Sequence, residues 1–227
     1  MISSSPIIKL HEDRLKAGDK PRLRSKWSAS LSGQCPRKRY YERLGEIGKP
    51  FSIEQLKIFE YGKCRHIYWQ EEFRKLGVLV SAEEEHENEY IVGHSDAIVE
   101  IGKEKFLYDI KTVNQWKFAR IKDIEDDHYI FQLMVYLYLA KPKYGVMEGV
   151  LFYDSKDSMS YRNLEKRYKL TDEWIERIER DIEKMNKYWD NKELPPPIPS
   201  YDWECKTTKG KNKSPYCKFI NCPNNEY

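Results

Sequence analysis

The chain has 227 residues and a mass of 27.3 kDa, with 40 Lys and Arg against 37 Asp and Glu and a formal net charge of +3. This length suits one domain with appendages, and a hydrophobic content of 40% is enough to form a core, so disorder of the whole chain is excluded. No apolar run approaches the length of a membrane span, and the N-terminus has no signal-peptide pattern. We therefore expect an intracellular, cytoplasmic protein whose five cysteines stay reduced.

The first third of the chain predicts an arm followed by two helices. Residues 1–29 are basic and polar and predict an arm with little periodicity. A helix is expected to open at Pro36, and a long helix is expected over residues 52–76. Ser52 is a good N-cap for that long helix, and Gly77 is a good stop.

The middle of the chain predicts a β-hairpin. Two stretches, residues 96–101 and 104–111, flank Gly102 and Lys103. A two-residue loop that starts with Gly is typical of a type II′ turn, so these stretches should pair as antiparallel strands.

The second half predicts two more helices and two more strands. The apolar run over residues 128–140 is long enough to favour a buried helix over a strand. Thr171 caps an amphipathic helix that extends to Trp189. The two remaining strands are expected over residues 146–153 and 161–170, and a proline-rich spacer at 195–199 then leads into a Cys-bearing tail.

The hairpin places two aspartates opposite each other. With Ile101 facing Glu104, Asp96 faces Asp109, and their Cβ atoms would lie about 5 Å apart. Two opposed carboxylates are unfavourable unless a divalent cation such as Mg²⁺ or Mn²⁺ neutralises them. Lys111 projects from the same strand face and could stabilise developing negative charge. An ordinary solvated strand face remains the alternative interpretation.

Three further polar side chains stand on predicted helices. Gln132 and Tyr136 are four residues apart and share one face of the apolar helix. They are either a satisfied core pair or a polar edge that faces the two aspartates. His66 in the long helix is either an ordinary helical histidine or a metal ligand, and an imidazole ligand would favour Mn²⁺ as well as Mg²⁺.

Five short motifs, taken in order, resemble RecB-like nucleases of the PD-(D/E)XK superfamily. Residues 30–41 resemble the opening of these nucleases, and residues 62–66 resemble their helical His motif. Residues 93–96 and 109–112 resemble their two acidic motifs. Residues 132–136 resemble the Gln-x-x-x-Tyr motif of the RecB-like branch.

The resemblance implies an α/β fold with a restriction-endonuclease-like central mixed sheet flanked by helices. It implies a nuclease core over residues 30–194, with the spacer and tail over 195–227. It also implies metal-dependent hydrolysis of phosphodiester bonds, usually at single-stranded DNA ends. The resemblance implies that Mg²⁺ or Mn²⁺ is bound by His66, Asp96, Asp109 and the Ile110 carbonyl. It implies that Lys111 is catalytic. It also implies that Gln132 and Tyr136 position DNA or the active site.

The cysteines resemble the iron–sulfur branch of these nucleases, which includes the AddB nuclease domain and the CRISPR adaptation nucleases. Cys35 precedes the core, and Cys205, Cys217 and Cys222 follow it. The resemblance implies a four-iron, four-sulfur cluster on these four thiolates, in a subdomain that joins the N-terminal segment to the tail. The step from Cys205 to Cys217 is longer than this branch usually has, which leaves Cys64 as an alternative ligand. Structural zinc on the same thiolates is the alternative metal.

Two groups of residues could contact DNA. Positive side chains beside aromatic rings are typical of single-strand binding, although an ordinary solvated surface has the same composition. The first group opens the helix predicted to start at Pro36, and the second follows the Lys111 strand: they are Arg37, Lys38, Arg39 and Tyr40, and Trp116, Lys117 and Arg120. The expected partner is DNA, with proteins of CRISPR adaptation or recombination as further partners and no membrane.

The functional hypothesis is therefore an exonuclease on single-stranded DNA. An endonuclease or viral recombination nuclease of the same fold is the enzymatic alternative. The other alternative is a non-catalytic DNA-binding subunit with structural zinc, which the presence of Asp96, Asp109 and Lys111 together disfavours.

Overall fold

A computed structural model describes residues 5–18, 20, 23–121, 123–156, 162–199, 217–219 and 222. The helices are α1 (Pro6–Gly18), α2 (Pro36–Leu44), α3 (Ile53–Lys75), α4 (Gln115–Arg120), α5 (Asp127–Tyr144) and α6 (Asp172–Asp190). The strands are β1 (Trp27–Ser28), β2 (Leu79–Glu87), β3 (Ile91–Ile101), β4 (Glu104–Val113), β5 (Glu148–Ser155) and β6 (Asn163–Lys169). None of the helices in these ranges combines the length and the apolar composition needed to cross a bilayer.

All of these strands join one mixed sheet. Strand β3 pairs antiparallel with β2 and with β4, and its start pairs parallel with β1. Strand β4 pairs parallel with β5, and β5 pairs antiparallel with β6. The structure thus confirms the expected α/β fold with a central mixed sheet flanked by helices.

The predicted hairpin is confirmed in its register. Ile101 pairs with Glu104, and the ladder continues to Ala97 and Tyr108. Gly102 has a φ of +68°, and the first central position of a type II′ turn requires a positive φ. Beyond Ala97 the ladder ends, because the Asp96 carboxylate takes the place of a backbone acceptor and receives the Ile110 N–H at 2.6 Å.

The sheet separates two hydrophobic layers. On one face, Phe73 and Trp69 of α3 pack against the β4 side chains Phe106, Tyr108 and Ile110. On the other face, α5 supplies most of the core together with α2 and α6, and ten of the α5 residues are buried. Because side chains alternate along β4, Asp109 and Lys111 point toward the α5 layer.

Local capping explains the boundaries of α3 and α6. Ser52 and Gln55 form a reciprocal capping box, in which each side chain bonds the backbone N–H of the other residue. The Thr171 side chain accepts the Trp174 N–H at the start of α6. Both starts agree with the sequence prediction.

The N-terminal segment differs from the predicted arm, since residues 6–18 form α1. This helix pairs with α3 through Arg14 and Glu60 at 2.5 Å and through Glu12 and Lys57 at 2.7 Å. Its Leu15 is buried. This helix was not predicted, because the partners that hold it lie on α3, some 45 residues away, and leave no local pattern.

The described part of the tail packs beside α2. The Lys49 N–H donates to the Lys218 carbonyl at 2.7 Å, and the Phe219 ring lies 5.1 Å from the Tyr41 ring. Phe219 is almost fully buried. The described tail residues are therefore held by a buried aromatic ring, a backbone hydrogen bond and the ion pair of Lys218 with Glu42 at 3.1 Å.

Candidate active site

Three carboxylates lie in a row across three neighbouring strands. The β2–β3 register, which pairs the residues on both sides of Glu83, places Glu83 opposite Asp96. The β3–β4 register, continued one residue past its last pair, places Asp109 opposite Asp96. We call Glu83, Asp96 and Asp109 the acidic row. Directly opposed side chains have Cβ atoms about 5 Å apart, so these three anions repel one another unless cations neutralise them.

Helix α3 contributes two side chains, one turn apart, to this row. His66 Nδ1 lies 3.2 Å from Asp96 Oδ1. Gln70 Nε2 donates to Glu83 Oε1 at 2.9 Å and to the Asp96 carbonyl at 3.0 Å. One ligand atom each from His66, Glu83 and Asp96 lies within 4.8 Å of the other two. This arrangement brings an imidazole and two carboxylates into the range of one metal ion.

His66 is electrostatically tied to the acidic row. Burial by itself lowers the pKa of its imidazole, but the hydrogen bond and the negative charge of Asp96 outweigh burial and raise that pKa above its usual value. The same aspartate therefore favours any positive charge placed at this point, whether it is a proton or a metal ion.

On the α5 side, Lys111 is held by two acceptors. Its Nζ lies 2.8 Å from Asp109 Oδ1 and 3.1 Å from Gln132 Oε1. Gln132 Nε2 in turn donates to the Tyr136 hydroxyl at 3.1 Å. The Lys111 ammonium also lies 4.8 Å from the centre of the Tyr129 ring. The structure therefore brings four predicted site residues into one hydrogen-bonded chain that fixes the position of the ammonium group.

Asp109 lies in an electrostatically unfavourable position within this series of hydrogen bonds. It is only 3% exposed, and its Oδ2 has no hydrogen-bond partner. Burial raises its pKa, Lys111 lowers it and Asp96 raises it, with a net increase to about 6. Lys111 keeps its charge, because the attraction of Asp109 outweighs burial and raises the lysine pKa. A buried carboxylate oxygen without a partner, beside a second carboxylate, fits a site for a hard divalent cation.

Gly93 allows the site layers to approach closely. A Cβ atom on Gly93 would lie 2.5 Å from the Ala29 Cβ and 2.7 Å from Tyr136 Cε1. Only glycine leaves room for Tyr136 here, and Tyr136 ends the chain that holds Lys111. This explains why a glycine opens the first acidic motif.

The structure corrects part of the predicted DNA surface. Arg39 is 2% exposed and bonds Asp181 at 2.9 Å, and Tyr40 is buried against Trp189. These two residues face α6 and the core, so they do not form a DNA surface. Arg37 and Lys38 are half-buried: Arg37 Nε donates to the Pro195 carbonyl at 2.7 Å, and Lys38 Nζ donates to Gln34 Oε1 at 2.7 Å.

The second predicted DNA group lies on α4, directly after the Lys111 strand. Trp116 is 76% exposed, and Arg120 is also exposed. Lys117 Nζ lies 4.5 Å from the centre of the same Tyr129 ring that Lys111 contacts. An exposed indole and two positive side chains therefore stand on the helix that follows the strand of Lys111, and Lys117 also pairs with Asp126 at 3.0 Å.

Three of the predicted cluster cysteines are buried around the start of α2. Cys35 is the N-cap residue of α2, and Cys217 and Cys222 belong to the tail segment beside it. Burial raises the pKa of the Cys217 thiol, the Phe219 backbone N–H and Lys38 lower it, and the neighbouring thiols of Cys222 and Cys35 raise it further. The three thiols are thus close enough to affect one another.

The two remaining cysteines differ in what the structure shows. The predicted ligand Cys205 lies outside the described residues. Cys64 is exposed on α3, which covers the other face of the sheet. This position does not support Cys64 as a substitute ligand.

Sequence reasoning missed Glu83 and Gln70. Glu83 is in a run of three glutamates that suggests a solvated surface, and strand β2 was not predicted. A β2–β3 pairing, once assumed, would have placed Glu83 beside Asp96. Gln70 follows His66 by four residues, which puts both on one face of α3.

Comparisons with known proteins show the fold. No protein-family model matches this sequence, and no curated protein matches it. The solved structure of SSO0001 is similar over 98% of both chains, with 20% identity and a TM-score of 0.61. An alkaline exonuclease from Laribacter hongkongensis, LHK-Exo, is similar over 79% of this chain and 93% of its own, with 15% identity and a TM-score of 0.52. The complex of LHK-Exo with dAMP is similar over 74% of this chain and 89% of its own, with 14% identity and a TM-score of 0.52.

These similarities extend over most of each chain at low sequence identity. They show that the protein has the fold found in SSO0001 and in the alkaline exonuclease, a mixed sheet flanked by helices that is consistent with a restriction-endonuclease-like nuclease.

Proposed function

We propose that the protein is a metal-dependent deoxyribonuclease of the PD-(D/E)XK type. The single observation that carries the proposal is Asp109: a carboxylate is buried with one oxygen unpartnered, it bonds the half-buried Lys111, and a second aspartate, Asp96, bonds the backbone of the next residue, Ile110. This combination is costly for a purely structural site, because a buried anion beside another anion is unfavourable. It is useful where a divalent cation and a phosphate must be held together.

In this proposal His66, Asp96, Asp109 and the Ile110 carbonyl hold Mg²⁺ or Mn²⁺. A bound cation would supply the positive charge that polarises the scissile phosphate and acidifies a nearby water. Lys111 points its ammonium into the site and stabilises the negative charge that develops on the phosphate. Gln132 accepts a hydrogen bond from Lys111, and Tyr136 holds Gln132, so both act as positioning residues.

We propose single-stranded DNA ends as the substrate. Trp116 is free to stack on a base, while Lys117 and Arg120 offer charge to phosphates, and no described element of this surface reads a base sequence. The exonuclease with a similar fold binds dAMP, a deoxynucleoside monophosphate, which is the kind of product that removal of terminal nucleotides yields. Trimming of DNA ends would suit CRISPR adaptation or recombination.

The test is digestion of linear single strands labelled at the 5′ or the 3′ end, with circular single strands and duplexes in parallel. We expect Mn²⁺-dependent release of short products from linear single strands, inhibition by EDTA, and no activity in Asp109→Asn. Cleavage of the circles would instead show an endonuclease. Binding without any cleavage by the wild-type protein would show a non-catalytic DNA-binding subunit.

We further propose that Cys35, Cys205, Cys217 and Cys222 bind a four-iron, four-sulfur cluster. The three described thiols are buried together around the start of α2. Among the described residues, no three cysteine sulfurs lie within 4.8 Å of one another. Thiolates on one zinc ion lie about 3.8 Å apart, whereas a cluster binds each thiolate to a different iron and accepts wider spacing.

The cluster has its own test. The purified protein should be brown and absorb near about 410 nm, and Cys222→Ser should lose this absorbance and most of the bound iron. Cys64→Ser is the matched control and should keep both. Colourless wild-type protein with one equivalent of zinc would show the zinc alternative instead.

A further inference from the structure

Two exposed tyrosines and an arginine form a stripe along α3 that has no part in the hydrolysis proposed above. Tyr61, Arg65 and Tyr68 follow one another at steps of four and three residues, so their side chains project from one side of the helix. Tyr61 is 43% exposed and Tyr68 is 39% exposed. We call these three residues the α3 stripe. It runs beside the apolar face of α3 that packs on the sheet.

A buried carboxylate fixes the arginine of the stripe. Arg65 Nε donates to Asp154 Oδ2 at 2.6 Å, and its guanidinium carbon lies 4.6 Å from the centre of the Tyr68 ring. The Arg65 side chain is 17% exposed, whereas that of Asp154 is 1% exposed. The hydrogen bond to Asp154 raises the pKa of Arg65, burial lowers it, and the charge of Asp154 and the nearby tyrosine hydroxyls raise it further. The guanidinium therefore keeps its charge and reaches the surface above its carboxylate partner.

The stripe lies at the end of the candidate catalytic strand. Thr112, which follows Lys111 on β4, pairs with Asp154 on β5. A Cβ atom on Gly62 would lie 3.4 Å from Thr112 Oγ1, so the α3 backbone comes close to the end of β4 beside the stripe. Helix α4 begins just beyond this end, and its Phe118 packs in the α5 layer, on the opposite face of the sheet from α3. Aromatic and positive side chains therefore stand on both sides of the end of β4.

We propose that the α3 stripe binds the part of a single-stranded DNA that continues past the cleavage site. This inference rests on the proposed nuclease function. One base stacks on the Tyr61 ring and a second on the pair of Tyr68 and Arg65, while the guanidinium contacts a phosphate. Aromatic rings stack on any base, so the stripe holds the strand without reading its sequence. The strand is thus bound on both sides of the scissile phosphate, by α4 and by α3.

The experiment measures binding of a fluorescent single strand of mixed sequence by anisotropy. Ca²⁺ replaces Mn²⁺, and electrophoresis checks that the strand stays intact. The stacking role is tested with Tyr61→Ala, Tyr68→Ala and the conservative Tyr61→Phe. Tyr90→Ala is the matched control, because Tyr90 is also 43% exposed but precedes β3 beside β1, away from the stripe.

The phosphate contact needs a paired substitution. Arg65→Met alone would leave Asp154 as an unpaired buried anion, so it is combined with Asp154→Asn. Arg74→Met is the matched control, because Arg74 lies in the last turn of the same helix and pairs with Glu71. Binding is measured over a range of salt concentrations, since each phosphate contact contributes to the salt dependence.

We expect Tyr61→Ala and Tyr68→Ala each to weaken binding about tenfold without lowering Tm. Tyr61→Phe keeps the ring and should bind like the wild type, as should Tyr90→Ala. The double variant should reduce the slope of log affinity against log salt by about 0.7, the contribution of one phosphate contact, and Arg74→Met should not. If the double variant does not fold, the tyrosine variants decide the test. Wild-type affinity in both Tyr61→Ala and Tyr68→Ala would overturn the inference.

The same proteins separate this inference from the proposed function. If the stripe variants lose affinity but the wild type cleaves no DNA with Mn²⁺, the inferred surface stands and the nuclease function fails. If the wild type cleaves single strands and both alanine variants bind like the wild type, the nuclease function stands and the inference fails. If the wild type binds no single strand, the inference and the proposed substrate both fail.

Discussion

Replacing Asp109 by asparagine should make the protein without divalent cations more stable while it destroys the proposed active site. Burial holds the pKa of this carboxyl at about 6 against an ordinary value of 3.8, so ionised Asp109 costs the folded state about 3 kcal/mol at pH 7. Asparagine avoids this cost and keeps an oxygen for the Lys111 ammonium. For a chain of this size, the gain corresponds to a Tm about 6–12 °C higher.

The sign of the pH dependence makes this prediction specific. The folded protein holds the Asp109 proton more tightly than the unfolded chain does. The free energy of unfolding of the wild type therefore falls as pH rises from about 4 to about 6. Below pH 4 both states are protonated at this group, so the difference between wild type and Asp109→Asn should vanish. Added Mn²⁺ should stabilise the wild type at pH 7. It should therefore reduce the difference in Tm between the wild type and Asp109→Asn.

The assay is thermal unfolding after EDTA treatment, measured at pH 4, 5, 6 and 7. Asp154→Asn is the matched control, because Asp154 is also buried and ion-paired, to Arg65 at 2.6 Å, as Asp109 is to Lys111 at 2.8 Å. Loss of the pair with Arg65 should destabilise the protein by about 3 kcal/mol. A destabilised Asp109→Asn variant, or a difference that does not change with pH, would refute the electrostatic reasoning.

Three further predictions follow from the same geometry. Mn²⁺ affinity should fall about tenfold per pH unit below pH 6, because protons compete for Asp109, and a calorimetric titration with a flat profile would contradict this. Trp116→Ala should weaken single-strand binding about tenfold, as measured by fluorescence anisotropy. It should leave Tm unchanged, because the exposed indole packs on little of the protein. Unchanged binding would show that Trp116 does not contact DNA. Gly93→Ala should lower both Tm and nuclease activity, because its Cβ would collide with Tyr136, and a fully active variant would argue against the Tyr136–Gln132–Lys111 chain.

The features that sequence predicted well are those set by short-range chemistry. The two-residue turn at Gly102 determines the hairpin register from Ile101–Glu104 to Ala97–Tyr108, and Asp96 bonds the Ile110 backbone N–H just beyond it. Capping by Ser52 and Thr171 likewise marks the starts of two helices. In each case the residues that decide the structure are near one another in the chain.

The features that were missed depend on partners far along the chain. Local sequence does not show that Arg39 faces Asp181 instead of solvent, because Asp181 lies on α6. It does not show that Glu83 belongs to the site, because a glutamate run within β2 has no clear alternation of apolar residues. Helix α1 was missed for the same reason, since α3 supplies its ion pairs.

The proposed hydrolysis depends most on Lys111 acting on the phosphate, which the replacement Lys111→Met tests. Hydrolysis of an end-labelled single strand should be measured with enzyme in excess and Mn²⁺ present, and binding of the same strand by anisotropy. We expect the hydrolysis rate to fall at least about 10²-fold while binding changes little, because the ammonium stabilises charge that develops only in the transition state. Lys105→Met, at the far end of the same strand, should behave as the wild type. Hydrolysis by Lys111→Met at the wild-type rate would contradict the account.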